Sequence, residues 1–512
     1  MKRLFKFIFS KPFVISLLAV VQIVLFYLIV ISVRGLSPWV YLAMVVLSVA
    51  VLLYLFEADS INPSYKLSWV VFMIVFPVTG ALFYRLFGSN KLTRKERARL
   101  ERSVSRARNA TPDNTGEIER ITARDRDQGK QATFLSAMAV APPYGNTSAR
   151  YYSTGDEYFS DMLDDLEKAR ETVFIQSFII EEGYIWNRMV DILKAKAARG
   201  VDVRVIYDGF GCLMKLPSGY ARQLEEAGIK TRVFNDAKFT LHLGSYMRFN
   251  HRDHRKQVII DSTVAYGGGM NIADEYANVK ERFGVWKDSG FRLEGEGVFG
   301  MTSIFLQSWE FVSDERDMYS SYRPKVGIYG EGYVQPYHDV PMDRLNVCKN
   351  VYISTVNNAN RYVYFTTPYL AIDYEFIEAI KLAGQSGIDV RIIVPGVPDK
   401  WYVMRVTRSY YRTLTAAGVR IYEYTPGFMH SKIYVADDSF AVVGSCNTDY
   451  RSMYLNYENC CAFYDSSIVG EVKKDFIETL DHCHEITKED IDRRGILKEA
   501  VSFLLRVFAP MM

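Results

Sequence analysis

The second half of this 512-residue chain repeats a pattern found in the first half, and this duplication constrains the fold more than any other feature. Residues 200–206, GVDVRVI, match residues 387–393, GIDVRII. Each is predicted to be a buried strand, because a short apolar run between turn signals is typical of one. Two further pairs of segments repeat in the same order around them: 173–177 with 363–367, and 227–230 with 417–420. The chain is therefore predicted to contain two copies of one unit.

Helical stretches alternate with the buried strands, which indicates an α/β sandwich in each half. Two similar halves usually pack about a pseudo-twofold axis, so corresponding residues should meet at a shared interface. The expected fold class is α/β, with two similar sandwich halves packed in this way behind N-terminal transmembrane helices. The expected domains are a membrane anchor at 1–90, a basic juxtamembrane helix and linker at 91–145, the first half at 146–325, the second half at 326–490 and an amphipathic C-terminal helix at 491–512.

A histidine, a lysine and an aspartate recur in each half with identical spacing, followed by a segment of small residues and an asparagine. Histidine and lysine two positions apart on a strand point to the same face. We therefore expect two histidines, two lysines and two asparagines to surround one pocket. The candidate catalytic residues are His254, Lys256, Asp261, His430, Lys432 and Asp437. The candidate phosphate-binding residues are Asn271, Asn447, Ser445 and Gly269.

These residue types suit the exchange of a phosphodiester. Two lysines neutralise the phosphate and stabilise charge on its oxygens, and asparagine amides donate further hydrogen bonds to it. One neutral imidazole attacks phosphorus and forms a covalent intermediate. The other gives a proton to the departing alcohol and then deprotonates the incoming one. The motifs hold no carboxylate cluster and the six cysteines form no CxxC pair, so no metal or cofactor is expected.

Each histidine also needs an acidic residue to orient it through its other ring nitrogen. Asp288 and Glu458 are the candidates, because they precede equivalent apolar strands 34 and 28 residues after the histidines of their own halves. Asp261 and Asp437 differ from the other motif residues, since each follows the distal end of its strand. We interpret them as structural, holding a turn or an ion pair away from the phosphate.

The first 90 residues contain three hydrophobic segments, at about 13–33, 39–56 and 67–87. The first two are uncharged runs of 21 and 18 residues, and roughly 20 apolar residues span a bilayer. The alternative, a signal peptide followed by a buried helix, is disfavoured because a signal core is shorter and no small-residue cleavage site follows Val33. Pro77 and Gly80 interrupt the third segment, which either crosses the bilayer with a tilt or lies partly embedded in it.

Basic residues flank this hydrophobic region on both sides. Four Lys or Arg precede it, and between Lys91 and Arg108 eight Lys or Arg accompany only two Glu. Both flanks favour the cytoplasm, which requires an even number of crossings. We therefore expect a multi-pass anchor with a cytoplasmic catalytic domain and one segment that does not fully cross. The basic run either attracts anionic headgroups or is a solvated helix, and residues 496–508 form a helix that lies either on the bilayer or on the catalytic core.

The doubled HxKxxxxD motif, followed by GGxN or GSxN, resembles the phospholipase D superfamily. Five further segments look like bacterial cardiolipin synthases: 271–276, 286–288, 366–369, 449–452 and 456–458. The resemblance implies an enzyme of the bacterial plasma membrane that joins two phosphatidylglycerols into cardiolipin, releasing glycerol through a phosphohistidine. By analogy His254 is the nucleophile and His430 the acid and base. Gly269 departs from the second half, which has Ser445 at that position.

Other functions share the same residues. A phospholipase D-type hydrolase would pass the phosphatidyl group to water, and a related transferase would use phosphatidylethanolamine as donor or serine as acceptor. A nuclease is disfavoured because the basic run adjoins the membrane segments rather than the motifs. The expected partners are phospholipid substrates and the bilayer, with no nucleic acid. The oligomeric state stays open.

Overall fold

A computed structural model of the chain describes residues 62–75, 80, 83–84, 94–236, 250–324, 328–341 and 345–511, with a few single positions between 42 and 53. The described residues up to Tyr84 belong to one unit and those from Arg94 onward to another. In the first unit, helix α1 (Pro63–Val75) places Trp69 edge-on to Tyr84, with ring centroids 5.4 Å apart.

Within the part of the chain that is described, no helix is both long and apolar enough to cross a membrane. The predicted segments at 13–33 and 39–56 lie outside the described residues, apart from a few single positions, and so does much of 67–87.

Three helices precede the first half: α2 (Arg94–Ala110), α3 (Thr115–Arg124) and α4 (Arg126–Ala139). Helix α2 contains the part of the basic run from Arg94 to Arg108. Arg99 donates to Asp314 over 2.7 Å and Arg106 to Glu310 over 2.5 Å. Part of the basic run is therefore neutralised by carboxylates of the catalytic unit, a role that neither interpretation of the sequence included.

A linker was expected after the basic helix within 91–145, but residues 115–139 form helices there. These helices are α3 and α4, whose residues Ile121, Ala132 and Leu135 are buried against the core of the second half. Asp125 begins α4 by accepting hydrogen bonds from the backbone N–H groups of Asp127 and Gln128, which is how an N-cap satisfies the first turn. Gly129 and the polar side chains concealed this helical spacing.

The first half is an α/β sandwich. Within the described residues its sheet has seven strands in the order β1-β9-β7-β6-β2-β3-β4. Strands β2, β3 and β4 are parallel, and the other pairs are antiparallel. The elements are β1 (Thr147–Tyr152), α5 (Gly155–Lys168), β2 (Thr172–Ser177), α6 (Tyr184–Ala197), β3 (Asp202–Asp208), α7 (Tyr220–Glu226), β4 (Lys230–Phe234), β5 (Arg252–Asp253), β6 (Gln257–Ile260), β7 (Val264–Gly268), β8 (Val285–Lys287), β9 (Gly290–Gly295) and α8 (Val298–Ser313).

The second half repeats this sheet. Its strands follow the order β10-β17-β16-β15-β11-β12-β13, with β18 added at the edge. The predicted duplication of two α/β halves is confirmed. The elements are β10 (Tyr333–Asp339), α9 (Val347–Asn358), β11 (Tyr362–Thr366), α10 (Tyr374–Gln385), β12 (Asp389–Pro395), α11 (Trp401–Ser409), α12 (Tyr411–Thr415), β13 (Arg420–Tyr424), β14 (Gly427–Met429), β15 (Ile433–Ala436), β16 (Phe440–Gly444), α13 (Tyr450–Tyr454), β17 (Asn456–Tyr464), α14 (Ser467–Leu480), β18 (Cys483–Glu485), α15 (Lys488–Asp492) and α16 (Ile496–Val507).

The halves are joined by two helices and by two exchanged strands. Helix α8 of the first half packs on β10 of the second, and helix α14 of the second packs on β1 of the first. A single apolar core runs between the two sheets. In addition, β5 pairs in parallel with β17 of the opposite half, and β14 pairs in parallel with β8 of the opposite half. These two short pairings lie directly beside the motif histidines.

The C-terminal helix α16 packs on α11. Arg506 lies 4.3 Å from the ring centroid of Tyr410, and Glu499 pairs with Arg412 over 3.1 Å. One face therefore packs on the catalytic unit, as one of the two interpretations held. Phe503 and Leu504 remain 71% and 61% exposed, so the helix keeps an apolar surface toward solvent.

Candidate active site

The exchanged strands hold each histidine against a carboxylate. His254 follows β5 and donates its backbone N–H to the carbonyl of Tyr457 over 2.9 Å. Its Nδ1 lies 2.9 Å from both carboxylate oxygens of Glu458. His430 follows β14, and its Nδ1 lies 2.6 Å from Oδ2 of Asp288. With Nδ1 held in this way, Nε2 is the nitrogen of each ring that is left to meet a substrate.

In the structure, each histidine pairs with the carboxylate that the sequence had suggested for the other histidine. Asp288 was expected to orient His254 and Glu458 to orient His430, each within its own half. That pairing is wrong, because β5 runs beside β17 and β14 beside β8. Each histidine therefore contacts the carboxylate of the opposite half, and each of the two contacts requires both halves.

Each motif lysine folds back beside its histidine. Lys256 Nζ donates to the carbonyl of His254 over 2.5 Å. Lys432 Nζ lies 2.8 Å from Nδ1 of His430 and also donates to the carbonyl of that residue. Asn459 fixes the backbone of Lys256 from the opposite half, through contacts of 3.0 Å and 3.3 Å. Asn459 was not among the predicted site residues, although its position directly after Glu458 was a usable signal.

Burial controls the protonation of the imidazoles and lysines. It lowers the pKa of both histidines, and the neighbouring lysines lower it further against the pull of the carboxylates. It also lowers the pKa of Lys256 to about 7 and that of Lys432 to about 8. The site therefore favours neutral imidazoles, which is the form a nucleophile needs.

The two carboxylates have the opposite tendency. Burial alone would raise the pKa of Asp288, but Lys432 and His430 hold it below its ordinary value. Burial would likewise raise the pKa of Glu458, but His254 and Lys256 hold it down. Both carboxylates are therefore ionised near neutral pH and can stabilise an imidazolium when one forms.

The two candidate asparagines are both held by side chains of their own half. Asn271 donates from Nδ2 to the hydroxyl of Tyr276 over 2.6 Å and accepts the backbone N–H of Ile179. Asn447 donates from Nδ2 to Asp449 over 3.0 Å. Each amide nitrogen keeps a second proton, so phosphate binding by these residues stays a prediction.

Ser445 and Gly269 both lie against the carboxylates, and their assignment as phosphate ligands stays a prediction. The Ser445 hydroxyl donates to Glu458 and accepts the backbone N–H of Asn459. A Cβ on Gly269 would lie 2.2 Å from Oδ1 of Asp288. The second half therefore braces a glutamate with a serine, whereas the first half needs a glycine to leave room for its aspartate.

Asp261 and Asp437 bind backbone N–H groups at the far ends of their strands. Asp261 accepts the backbone N–H groups of residues 170–172, and Asp437 accepts those of residues 360–362, at the starts of β2 and β11. Both adopt positive φ values, 50° and 54°, in the turn that follows their strand. Each one ties this turn to the start of a neighbouring strand, as their interpretation as structural residues held.

Replacing Asp437 by alanine should therefore lower stability rather than chemistry. Three backbone N–H groups lose their acceptor and alanine tolerates positive φ poorly, so we expect the free energy of unfolding to fall by about 2 kcal/mol. Denaturant titration and activity per folded molecule measure the two effects. Asp437→Asn is the control, because it keeps one oxygen and suits this φ. A specific loss of activity in folded Asp437→Ala would contradict this structural role.

Aromatic rings enclose the two histidines unequally. The ring centroids of Tyr276, Trp286 and Phe428 lie 5.3, 5.2 and 5.7 Å from that of His430. Phe178 lies 5.1 Å from His254. Tyr276 and Trp286 fall within the segments 271–276 and 286–288 of the family resemblance, but nothing in the sequence placed them in the site. Phe428 lies two residues before His430, which was its available signal.

Comparisons with known proteins agree with this fold. The family model described as "cardiolipin synthase, PLD-like domain" matches residues 162–289 and 352–480. The one described as "phospholipase D-nuclease N-terminal" matches residues 38–89. Phosphatidylserine synthase from Haemophilus influenzae has a similar structure, with a TM-score of 0.55 and 15% identity over 75% of this chain and 98% of its own. The two halves and their shared site thus define a phospholipase D-like protein.

Individual relatives show which family of phospholipase D-like proteins this chain resembles. A cardiolipin synthase of Alkalihalophilus pseudofirmus is 32% identical, covering 88% of this chain and 90% of its own. Cardiolipin synthase 1 of Bacillus cereus is 30% identical, covering 98% of this chain and 100% of its own. A Streptococcus mutans protein described as uncharacterized is 37% identical over 87% of this chain and 96% of its own. The chain belongs to the cardiolipin synthase family of phospholipase D-like proteins.

Proposed function

We propose that this enzyme is a cardiolipin synthase, which transfers a phosphatidyl group from one phosphatidylglycerol to another. The observation that carries the proposal is the pair of exchanged histidine–carboxylate contacts, each with a lysine beside it. Two imidazoles at one interface supply a nucleophile and a proton donor to the same phosphate. Family membership supports the lipid substrate.

In the first step, Nε2 of His254 attacks the phosphorus and the bond to the glycerol headgroup breaks. His430, protonated once the bound phosphate raises its pKa, gives its proton to the departing glycerol oxygen. In the second step, neutral His430 takes the proton of the acceptor hydroxyl, which attacks phosphorus and releases His254. The net reaction converts two phosphatidylglycerols into cardiolipin and glycerol. Lys256 and Lys432 stabilise the phosphate oxygens in both steps.

An assay of products tests this function. Purified enzyme is incubated with phosphatidylglycerol in mixed micelles, and lipids and glycerol are quantified by mass spectrometry. Cardiolipin and glycerol in equal amounts are expected. Phosphatidic acid as the main product would instead identify a hydrolase, and phosphatidylserine formed only after serine is added would identify the other transferase.

The rate of phosphatidyl transfer should fall as the pH rises through the range in which the lysines lose their protons. Each lysine neutralises phosphate only while protonated, and burial lowers their pKa values to about 7 and about 8. We expect kcat/KM, which reports the free enzyme, to fall about tenfold per pH unit between the two pKa values and about a hundredfold per pH unit above both, because each lysine then loses its proton. The bound anion favours the ammonium form, so the decline in kcat should begin at a higher pH.

The matched variant for this profile is Lys256→Arg, which stays charged at every pH used. Its maximal rate should be lower, but the alkaline decline assigned to Lys256 should disappear. A wild-type kcat/KM that rises between pH 7 and pH 9 would contradict charge neutralisation by these lysines.

The membrane arrangement belongs to the same proposal: an N-terminal multi-pass anchor with the catalytic unit on the cytoplasmic face. A lipid-bound anchor keeps both substrates in one plane with the site. Cysteine labelling tests it. Ser89→Cys in a Cys483→Ser background, where the five other cysteines are buried, should react with an impermeant maleimide only after cells are permeabilised. Labelling of intact cells would reverse the orientation.

A further inference from the structure

Large apolar and aromatic side chains stay exposed at equivalent places in the two halves. Met214 and Trp401 each lie six residues beyond the end of an equivalent strand, β3 and β12, and both are more than half exposed. Tyr184 and Tyr374 each begin the helix that follows β2 or β11, and they are also more than half exposed. Because the positions match between the halves, this exposure is a property of the repeated fold.

These four residues lie at the edge of each sheet that also carries the motif histidines. Strands β2 and β3 are parallel, as are β11 and β12, so the carboxyl ends of each pair meet at one edge. The carboxylate of the last residue of β3 accepts the backbone N–H of Asp253, which directly precedes His254. Val397 follows β12 and donates its backbone N–H to Gly427 over 3.4 Å, three residues before His430. The exposed residues and the histidines therefore share one side of the catalytic unit.

In the second half, a chain of contacts leads from Trp401 to His430. Lys400, the neighbour of Trp401 in the sequence, donates to the Tyr369 hydroxyl over 2.6 Å. The ring centroid of Tyr369 lies 6.4 Å from that of Phe428, which in turn lies 5.7 Å from that of His430. Two aromatic rings thus bridge the exposed segment and the histidine.

The first half has a corresponding chain of contacts from Met214 to His254. In the loop that carries Met214, the Cys212 thiol accepts the backbone N–H of Ile180 over 3.1 Å and lies 3.6 Å from the carbonyl oxygen of Phe178. The Phe178 ring lies 5.1 Å from that of His254. Each exposed loop is therefore linked to the motif histidine of its own half.

Charged side chains beside these loops are paired within the protein. Lys400 pairs with Asp399 over 2.5 Å, and Lys215, directly after Met214, pairs with Glu181 over 2.5 Å. Tryptophan and tyrosine, which combine an apolar ring with a polar group, concentrate at the boundary between lipid headgroups and acyl chains. Neutralised ion pairs beside such residues suit the same boundary, so the chemistry of these loops fits the surface of a bilayer.

We propose that Tyr184, Met214, Tyr374 and Trp401 form a docking rim, which lies in the boundary region of the bilayer and brings phosphatidylglycerol headgroups to the histidines. This inference rests on the proposed function. Each methylene of an acyl chain favours the membrane interior, so a lipid with two long chains reacts most readily while its chains stay in the bilayer. The histidines must then be brought to the membrane surface, and the docking rim lies on the side of the catalytic unit that carries them.

Rates with two physical forms of one substrate test the docking rim. Phosphatidylglycerol in vesicles is compared with dibutanoyl-phosphatidylglycerol, which dissolves as monomers, and the ratio of the two rates is independent of the amount of folded enzyme. Trp401→Glu and Met214→Glu should each lower the ratio of vesicle rate to soluble rate about tenfold, the effect of losing one buried apolar side chain. Leu382→Glu, on an exposed part of α10, should leave the ratio unchanged. An unchanged ratio in both rim variants would overturn docking by these residues.

Fluorescence quenching locates the docking rim without any turnover. Met214→Cys, Tyr374→Cys, Trp401→Cys and Leu382→Cys are made one at a time in full-length enzyme with Cys483→Ser, where the other native cysteines are buried. Each carries an environment-sensitive fluorophore, in vesicles of phosphatidylcholine and phosphatidylglycerol. Leu382 is the matched control, because it is also more than half exposed but lies about 12 Å beyond Tyr374 along α10, away from the carboxyl ends of the strands.

Nitroxide-labelled lipids should quench the probes at the three rim positions several-fold more strongly than the probe at Leu382, and aqueous iodide should show the opposite order. Equal quenching by iodide at all positions would overturn the docking rim. Rim probes shielded from iodide but not quenched by lipid would also overturn it, because a second copy of this chain would then cover them. Failure of the proposed function is distinct, since wild-type enzyme would then yield no cardiolipin whatever the quenching shows.

Discussion

Replacing either His254 or His430 by alanine should lower phosphatidyl transfer by about a thousandfold or more, because each imidazole performs a step that the other cannot. Without one ring there is no nucleophile, and without the other the glycerol oxygen departs unprotonated. Cardiolipin formation by purified variants measures the loss. His484→Ala is the matched control, since this exposed histidine pairs with Asp490 on the edge of the second sheet.

Folding must be monitored in the same variants. Each alanine leaves a buried carboxylate, Glu458 or Asp288, without its imidazole, which costs stability. Thermal unfolding and circular dichroism separate this cost from the loss of chemistry. Substantial turnover by either folded alanine variant would contradict a single site built from both halves.

The duplication in the sequence was sufficient to predict two α/β halves. The repeated segments at 200–206 and 387–393 lead into β3 and β12 and form most of them, in equivalent places of two sheets with the same strand order. A buried parallel strand is a continuous apolar run, so its signal survives in a single sequence. The repeated histidine and lysine spacing predicted which side chains would face the interface for the same reason of strand alternation.

The sequence alone could not predict which carboxylate contacts which histidine. It depends on two pairings of two and three residues, β5 with β17 and β14 with β8. Such short pairings leave no periodic pattern, and distance along the chain favoured the wrong partners. The same limit applies to Ser445, whose hydroxyl had no visible reason to face Glu458 rather than the phosphate.

Polar composition conceals the helices α3 and α4 in the sequence. Glycine and proline near residues 112–129 suggested a linker, but a few apolar residues at helical spacing pack on the second half. Tertiary packing supplies most of the stability of such helices, and packing partners more than 200 residues away are invisible to local propensity.

The exchanged contacts predict which variants should behave alike. Glu458→Gln and Asp288→Asn should each lower transfer by about a thousandfold, because a neutral amide no longer holds the correct imidazole tautomer or stabilises the imidazolium. A substrate whose leaving group needs no proton separates the two roles. Phosphatidyl-p-nitrophenol releases a stable phenolate, so variants that impair only the general acid should regain a rapid first burst of nitrophenol.

The grouping of the variants is the decisive result. With the contacts seen here, Glu458→Gln should follow His254→Ala, and Asp288→Asn should follow His430→Ala, whichever histidine is the acid. If the nitrophenol burst returns in only one of these two pairs of variants, that pair affects the general acid and the other pair affects the nucleophile. The reason is that a better leaving group cannot replace a missing nucleophile. If Asp288→Asn instead grouped with His254→Ala, each carboxylate would serve its own half, and the catalytic interface would have to be assembled differently. The internal duplication alone permits both arrangements, so this kinetic comparison tests the feature that only the three-dimensional structure supplies.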